Sequence, residues 1–161
     1  MNTVDTIKAF FLEAAAKTYA SGEVQKTTNA DLPGSKVYRY ERNGMLYIDT
    51  FFTNGERSGG QTVIYQNGKP AWLMQYHGWC KDDNPKVLAF LKAALADAYA
   101  KPHFFGGRGI DGFEHDASPD LMYSNDPFGP FESGYGIEKI YCRSEKIFWH
   151  KYQHFMLTPN E

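Results

Sequence analysis

Cysteine is scarce in this chain: two thiols, Cys80 and Cys142, in 161 residues. That excludes a small disulfide-dense scaffold, and two free thiols in a reduced cytoplasm is the simpler reading. Neither thiol carries a Cys-His catalytic signature and no serine sits in G-x-S-x-G, so neither sequence signature marks a nucleophilic hydrolase. Long hydrophobic runs are absent too. The longest, residues 9–16, is broken by Glu13, far short of the roughly 20 residues that cross a bilayer. The N-terminus also lacks the positive-then-apolar order of a signal peptide, so the expectation is a soluble, cytoplasmic protein with no membrane partner. Neither sign of charge dominates: 17 Lys and Arg stand against 19 Asp and Glu, net −2, with no basic tail or stripe. A direct nucleic-acid partner is therefore not expected.

Aromatic residues are what the chain has in quantity, at 16%. Such a load fills a core, and it also builds ligand pockets and contact surfaces. Two segments have the 3.6-residue period of a helix lying on something apolar. One puts Ile7, Phe10, Phe11 and Ala14 on a stripe; the other does the same with Val87, Phe90, Leu91, Ala94 and Leu95, after Asn84 as cap and Pro85 in the first turn. Elsewhere the period is two. Tyr38 and Tyr40 alternate with Arg39 and Glu41, and Asn43-Gly44 and Asn67-Gly68 supply two-residue hairpin turns. Trp72, Met74 and Tyr76 alternate with Leu73, Gln75 and His77.

Residues 7–20 lie along 87–100, and residues 47–79 along 123–155, without gaps and with aromatic positions kept. Ser144-Glu145 stands in place of the second Asn-Gly turn. The expected fold is α+β, a single domain over residues 1–161. It is a tandem pseudo-twofold duplication, each unit one helix followed by about four antiparallel strands, at about 5–80 and about 84–157. Two such units would cover each other's bare side, with a cleft at the pseudo-axis.

The polar residues that recur among the aromatics are the candidates for that cleft. Asp49 corresponds to Asn125, and Glu56 to Glu132, so a pair of carboxylates approaching at the axis could hold a cation or polar ligand. Tyr47, Tyr76, Tyr123 and Tyr152 could line it, and His77 belongs to the first half alone. The run Gly107-Arg108-Gly109-Ile110-Asp111-Gly112 is G-x-G-x-x-G, but a helix and Pro102 precede it and a strand is expected after it. It reads as a flexible loop with Arg108 at its tip, not as a dinucleotide fingerprint. His150 and His154 share one face of a strand but lack a third ligand at a metal-site spacing. No cofactor, metal or catalytic residue is expected. The ligand-binding candidates are Tyr47, Asp49, Glu56, Tyr76, His77, Arg108, Tyr123, Glu132 and Tyr152.

The runs T-Y-A-S-G from Thr18, P-G-S-K from Pro33, Y-I-D-T-F from Tyr47 and G-K-P-A-W-L-M-Q-Y-H-G from Gly68 resemble the bacterial family known as domain of unknown function 5680. G-G-R-G from Gly106 and G-I-E-K-I-Y from Gly136 continue the resemblance. It implies a domain found free-standing or behind helix-turn-helix domains of transcription regulators, hence an accessory or sensing role. Gln61 stands where that family usually has glutamate, and the chain ends in Q-H-F-M-L where a glycine pair is usual. Three functions follow in order of preference: a small-molecule-binding or sensing module; a protein-interaction or regulatory partner, a homodimer included, through aromatics such as Trp79 and Phe155; and an enzyme using the paired carboxylates.

Overall fold

The computed structural model describes residues 3–158. Helix α1 (Thr3–Ala15) buries Ile7, Phe10, Phe11 and Ala14, the stripe its period predicts, and ends in a wider π-type turn, Ala16–Ala20. Four strands follow: β1 (Lys36–Arg42), β2 (Met45–Asn54), β3 (Arg57–Gln66) and β4 (Lys69–Cys80). Asn43-Gly44 and Asn67-Gly68 have positive φ at both residues, as a type I′ turn requires. Helix α2 (Pro85–Tyr99) starts where Asn84 accepts a hydrogen bond from the Lys86 N–H at 3.0 Å. Strands β5 (Leu121–Phe128), β6 (Ser133–Cys142) and β7 (Glu145–Met156) complete the chain. The β6–β7 turn is Arg143-Ser144, one residue earlier than expected.

All seven strands form one antiparallel sheet in the order β1-β2-β3-β4-β7-β6-β5. This overturns the expectation of two units of one helix and about four strands. After α2 the chain runs through residues 100–120 without a strand, so three strands follow it and not four. The two groups do not cover each other's bare faces. Instead β4 and β7 pair in the middle of the sheet, Trp72 against Met156 through Cys80 against Phe148, and each supplies the other's missing backbone partners.

Residues directly opposite in an antiparallel pair point to the same face, so the registers identify the covered side. It carries Tyr38, Tyr47, Asp49, Thr62, Trp72, Met74, Tyr76, Phe148, His150 and Tyr152. Around α1, Phe11 meets Trp72 at 4.9 Å between ring centroids, and Trp72 stacks on Phe131 at 5.1 Å. Around α2, Val87, Phe90, Leu91 and Leu95 pack with Tyr123, Ile140 and Phe148. Both helices thus lie on one face. The other, with Leu73, Gln75, His77 and Trp79 of β4, is covered by neither. Among the described residues no helix is long and apolar enough to cross a membrane.

Candidate functional site

A cleft of about 250 Å³ lies between the covered face of the sheet and the helices. Phe11, Tyr19, Tyr38, Tyr47, Phe51 and Tyr99 make its walls, and Asp49, Tyr76, Arg108 and His150 are its polar groups. Strand phase explains the position of the sheet residues. Asp49 follows Tyr47 by two on β2, and Tyr76 follows Met74 by two on β4, so each points with its apolar neighbour toward the helices.

Asp49 is 5% exposed. Its Oδ1 accepts from Thr62 Oγ1 at 3.0 Å and from the Tyr76 hydroxyl at 2.5 Å. Burial lifts its pKa from 3.8 to about 6; those two hydrogen bonds and the Arg108 charge pull the other way without winning. Burial also pushes the Tyr76 hydroxyl well above its ordinary value, helped by the neighbouring Asp49.

The residue that organises the deep end is Glu138, which the sequence reading missed. It is fully buried on β6. Arg108 Nε donates to its Oε1 at 2.8 Å, Arg108 Nη2 donates to the same oxygen, and the Tyr123 hydroxyl donates to Oε2. Burial alone would raise the Glu138 pKa, but the Arg108 charge and the bond from His150 hold it well below the carboxylate range. Arg108 stays charged for the complementary reason: burial disfavours its cation and Glu138 restores it. Period two gave a usable signal, since Glu138 lies in phase with Ile140, a core position.

Arg108 is therefore not at the tip of a flexible loop. It is 8% exposed and turned inward, with its guanidinium 5.8 Å from the Tyr76 ring centroid. Asn125 fastens the loop to the sheet by donating to Phe105 O at 3.0 Å and Gly109 O at 2.7 Å, while its Oδ1 accepts from Tyr152 at 2.7 Å. The Tyr123 hydroxyl accepts from the Gly109 N–H at 2.8 Å. Tyr123 and Tyr152 thus hold the wall from behind, and neither lines the cleft.

Of the other candidates, Tyr47, Asp49, Tyr76 and Arg108 are brought together here, and Glu56 stands at the rim. Glu56 accepts from the Asp82 N–H at 2.6 Å and Trp79 Nε1 at 3.0 Å, which lower its pKa in that order. His77 is on the uncovered face, edge-on to Trp149. Glu132 does not approach Glu56. The Glu56 carbonyl bonds Cys80 and the Glu132 carbonyl bonds Met156, which pairs with Trp72. Trp72 and Cys80 are eight residues apart on β4, about 27 Å at a rise of about 3.4 Å. A paired-carboxylate centre is excluded by that geometry.

His150 and His154 also diverge. His150 Nδ1 lies 3.2 Å from Glu138 Oε1 and its Nε2 lies 3.0 Å from Ser58 Oγ. His154 Nδ1 meets Phe131 O at 3.2 Å, and burial lowers its pKa to about 4. Among the described residues no three His, Cys, Asp or Glu side chains converge as metal ligands.

Several polar atoms in the cleft have no protein partner among the described residues: Arg108 Nη1, Asp49 Oδ2 and the hydroxyls of Tyr19 and Tyr38. The rim carries Lys26, Lys36, Arg57 and Lys92 against Glu56 and Asp83. Among the described residues none of those four cations is in an ion pair. Lys36 bonds Thr53 Oγ1 at 2.8 Å, and Lys92 lies 4.9 Å from the Tyr19 ring centroid.

No curated protein and no solved structure matches the chain. The family model described as domain of unknown function (DUF5680) matches residues 49–157, which is 109 of the 161 residues, and this stretch contains Asp49, Ser58, Tyr76, Arg108, Glu138 and His150. By that match over more than half its length, the chain belongs to the DUF5680 family.

Proposed function

We propose that this chain is a small-molecule-binding module, acting in the cytoplasm as a sensing or accessory domain, and that its cleft takes a small organic anion. The observation that carries the reading is the set of polar atoms that line an aromatic cleft without a protein partner among the described residues. A concave, mostly aromatic pocket with a few convergent polar groups open to it is the usual form of a small-molecule site. The rim selects charge. Four cations face two carboxylates there, although the protein as a whole is net −2. At the floor Arg108 is already neutralised by Glu138, and Asp49 Oδ2 offers an acceptor. A fitting ligand has a hydrogen-bonding head for Asp49 and Arg108, a flat body between the tyrosines, and its negative group at the lysines. By the liquid volume of about 30 Å³ per water, the space holds about eight waters, the scale of a metabolite.

The test is a thermal-shift screen of size-matched carboxylates, phosphates, neutral amides and amines. An anion at 100 times its dissociation constant should add about 2.7 kcal/mol of stability. Its affinity should fall about tenfold in Lys26→Gln/Lys36→Gln/Lys92→Gln and weaken with salt. Stabilisation by neutral compounds alone, unchanged in that variant, would contradict the anion; no stabilisation by any class would contradict the module.

A second reading has one observation in its favour. Phe128 and Tyr135 are 65% and 58% exposed and lie 5.1 Å apart on the uncovered side of the molecule, a pair suited to a protein partner.

A further inference from the structure

One row of residues crosses four strands of the sheet in register. Ser58 on β3 pairs with Gly78 on β4, Gly78 pairs with His150 on β7, and His150 pairs with Glu138 on β6. Side chains two strands apart do not ordinarily touch. Here they do because position 78 has no side chain: a Cβ there would lie 2.0 Å from His150 Cδ2. The imidazole lies across the gap, with Nε2 3.0 Å from Ser58 Oγ and Nδ1 3.2 Å from Glu138 Oε1.

The carboxylate end of this row is fixed. Glu138 is held as an anion by Arg108 and Tyr123, so it accepts from Nδ1–H and leaves the Nε2 lone pair directed at the serine hydroxyl. Burial depresses the His150 pKa, against the pull of Glu138, which favours the neutral ring that this tautomer needs. The other end is accessible. Ser58 is half-buried, and both Ser58 and His150 line the cleft. A hydroxyl, an imidazole and a buried carboxylate in sequence, opening on a pocket, form the arrangement that activates a serine for attack on a carbonyl, and it is recognised by geometry and not by sequence order.

We propose that Ser58 is a nucleophile and His150 its general base in an acyl-transfer reaction on a small carboxylic ester or thioester bound in the cleft. This rests on the cleft being the binding site proposed above. Ser58 Oγ forms a bond to the acyl carbon as its proton passes to His150 Nε2. The bond from that carbon to the alcohol or thiol then breaks, and the leaving group takes the proton from His150. Water next attacks the acyl-serine, giving its proton to His150. The acyl–Oγ bond breaks and the proton returns to Ser58, so ester and water become acid and alcohol. Arg108 lines the same cleft as Ser58 and His150, so its positive charge faces the pocket in which the oxyanion develops.

The experiment exposes the intact chain to a fluorophosphonate and, separately, to p-nitrophenyl acetate and p-nitrophenyl hemisuccinate, with adducts located by peptide mass mapping. One adduct per chain is expected, on Ser58, with a burst of nitrophenolate. Ser58→Ala should abolish it, and His150→Gln should slow it about a hundredfold. Should His150→Gln fail to fold, Ser58→Ala decides alone, because it removes one half-buried oxygen. An unlabelled Ser58 in folded protein, labelling equally fast in His150→Gln, or adducts scattered over tyrosines and lysines would overturn the assignment. Anions that stabilise a protein whose Ser58 is inert would leave the binding reading intact and remove the reaction. A labelled Ser58 without any stabilising compound would do the reverse.

Discussion

The Asp49 carboxyl gives a stability that should fall with rising pH, and the size follows from its surroundings. Its pKa rises from 3.8 in the unfolded chain to about 6 in the fold because burial disfavours the anion more than Thr62, Tyr76 and Arg108 favour it. Below pH 3.8 the group is protonated in both states and folding pays nothing for it. Between pH 3.8 and 6 the unfolded chain releases the proton while the folded one retains it, so stability declines; above 6 the loss is complete. At 1.36 kcal/mol per pH unit the decline amounts to about 3 kcal/mol. Urea unfolding of wild type and Asp49→Asn, followed by tryptophan fluorescence from pH 4 to 8, isolates the effect. Glu138, whose depressed pKa makes its own contribution vanish on acidification, acts alike in both proteins and cancels in the difference. The wild-type stability minus that of Asp49→Asn should drop by about 2 kcal/mol from pH 4 to 7, the rest of the decline lying outside that window. A difference flat to within about 0.5 kcal/mol would refute the reasoning, since the carboxylate would then ionise in the fold as readily as in the unfolded chain. A ligand donating to Oδ2 should flatten the same slope by stabilising the ionised form.

Other expected outcomes concern the row and the pair beside it. Arg108→Met or Glu138→Gln should each cost about 3 to 5 kcal/mol in urea unfolding by leaving a buried group of the pair alone, and Arg108→Met/Glu138→Gln less than their sum. Gly78→Ala should cost about 3 kcal/mol or more, because its Cβ would lie 2.1 Å from the Trp149 carbonyl oxygen as well as 2.0 Å from His150 Cδ2, and should displace the His150 ring from Ser58, read as a changed imidazole resonance in NMR spectra. Asn84→Ala should lower stability by about 1 kcal/mol through loss of the α2 cap, without altering ligand affinity.

Local features of the fold were legible because they are written in short spacings. The stripes of α1 and α2, the Asn-Gly turns and the alternation of β4 each depend on residues a few positions apart. Residues 100–120 gave no comparable signal, and counting a fourth strand there produced the wrong architecture. Tyr47, Asp49 and Tyr76 could be singled out as polar or aromatic groups in core phase. Arg108 was identified but misplaced, because glycines on both sides suggest exposure whereas here they let a loop press against the sheet. The Ser58-His150 contact joins positions 92 apart and requires the β4–β7 pairing, which no periodicity specifies. Glu56 and Glu132 failed as a pair for the same reason: only the register shows that they sit at opposite ends of β4 and β7.

The most direct test of the cleft is an NMR titration of ¹⁵N-labelled protein with the strongest anionic stabiliser. The account predicts shifts at the Arg108 Nε–H and the backbone amides of Gly107, Arg57 and Ser58, with Gln75, His77, Tyr135 and Gln153 on the other side unmoved. Shifts confined to those last four residues, with Arg108 silent, would contradict it.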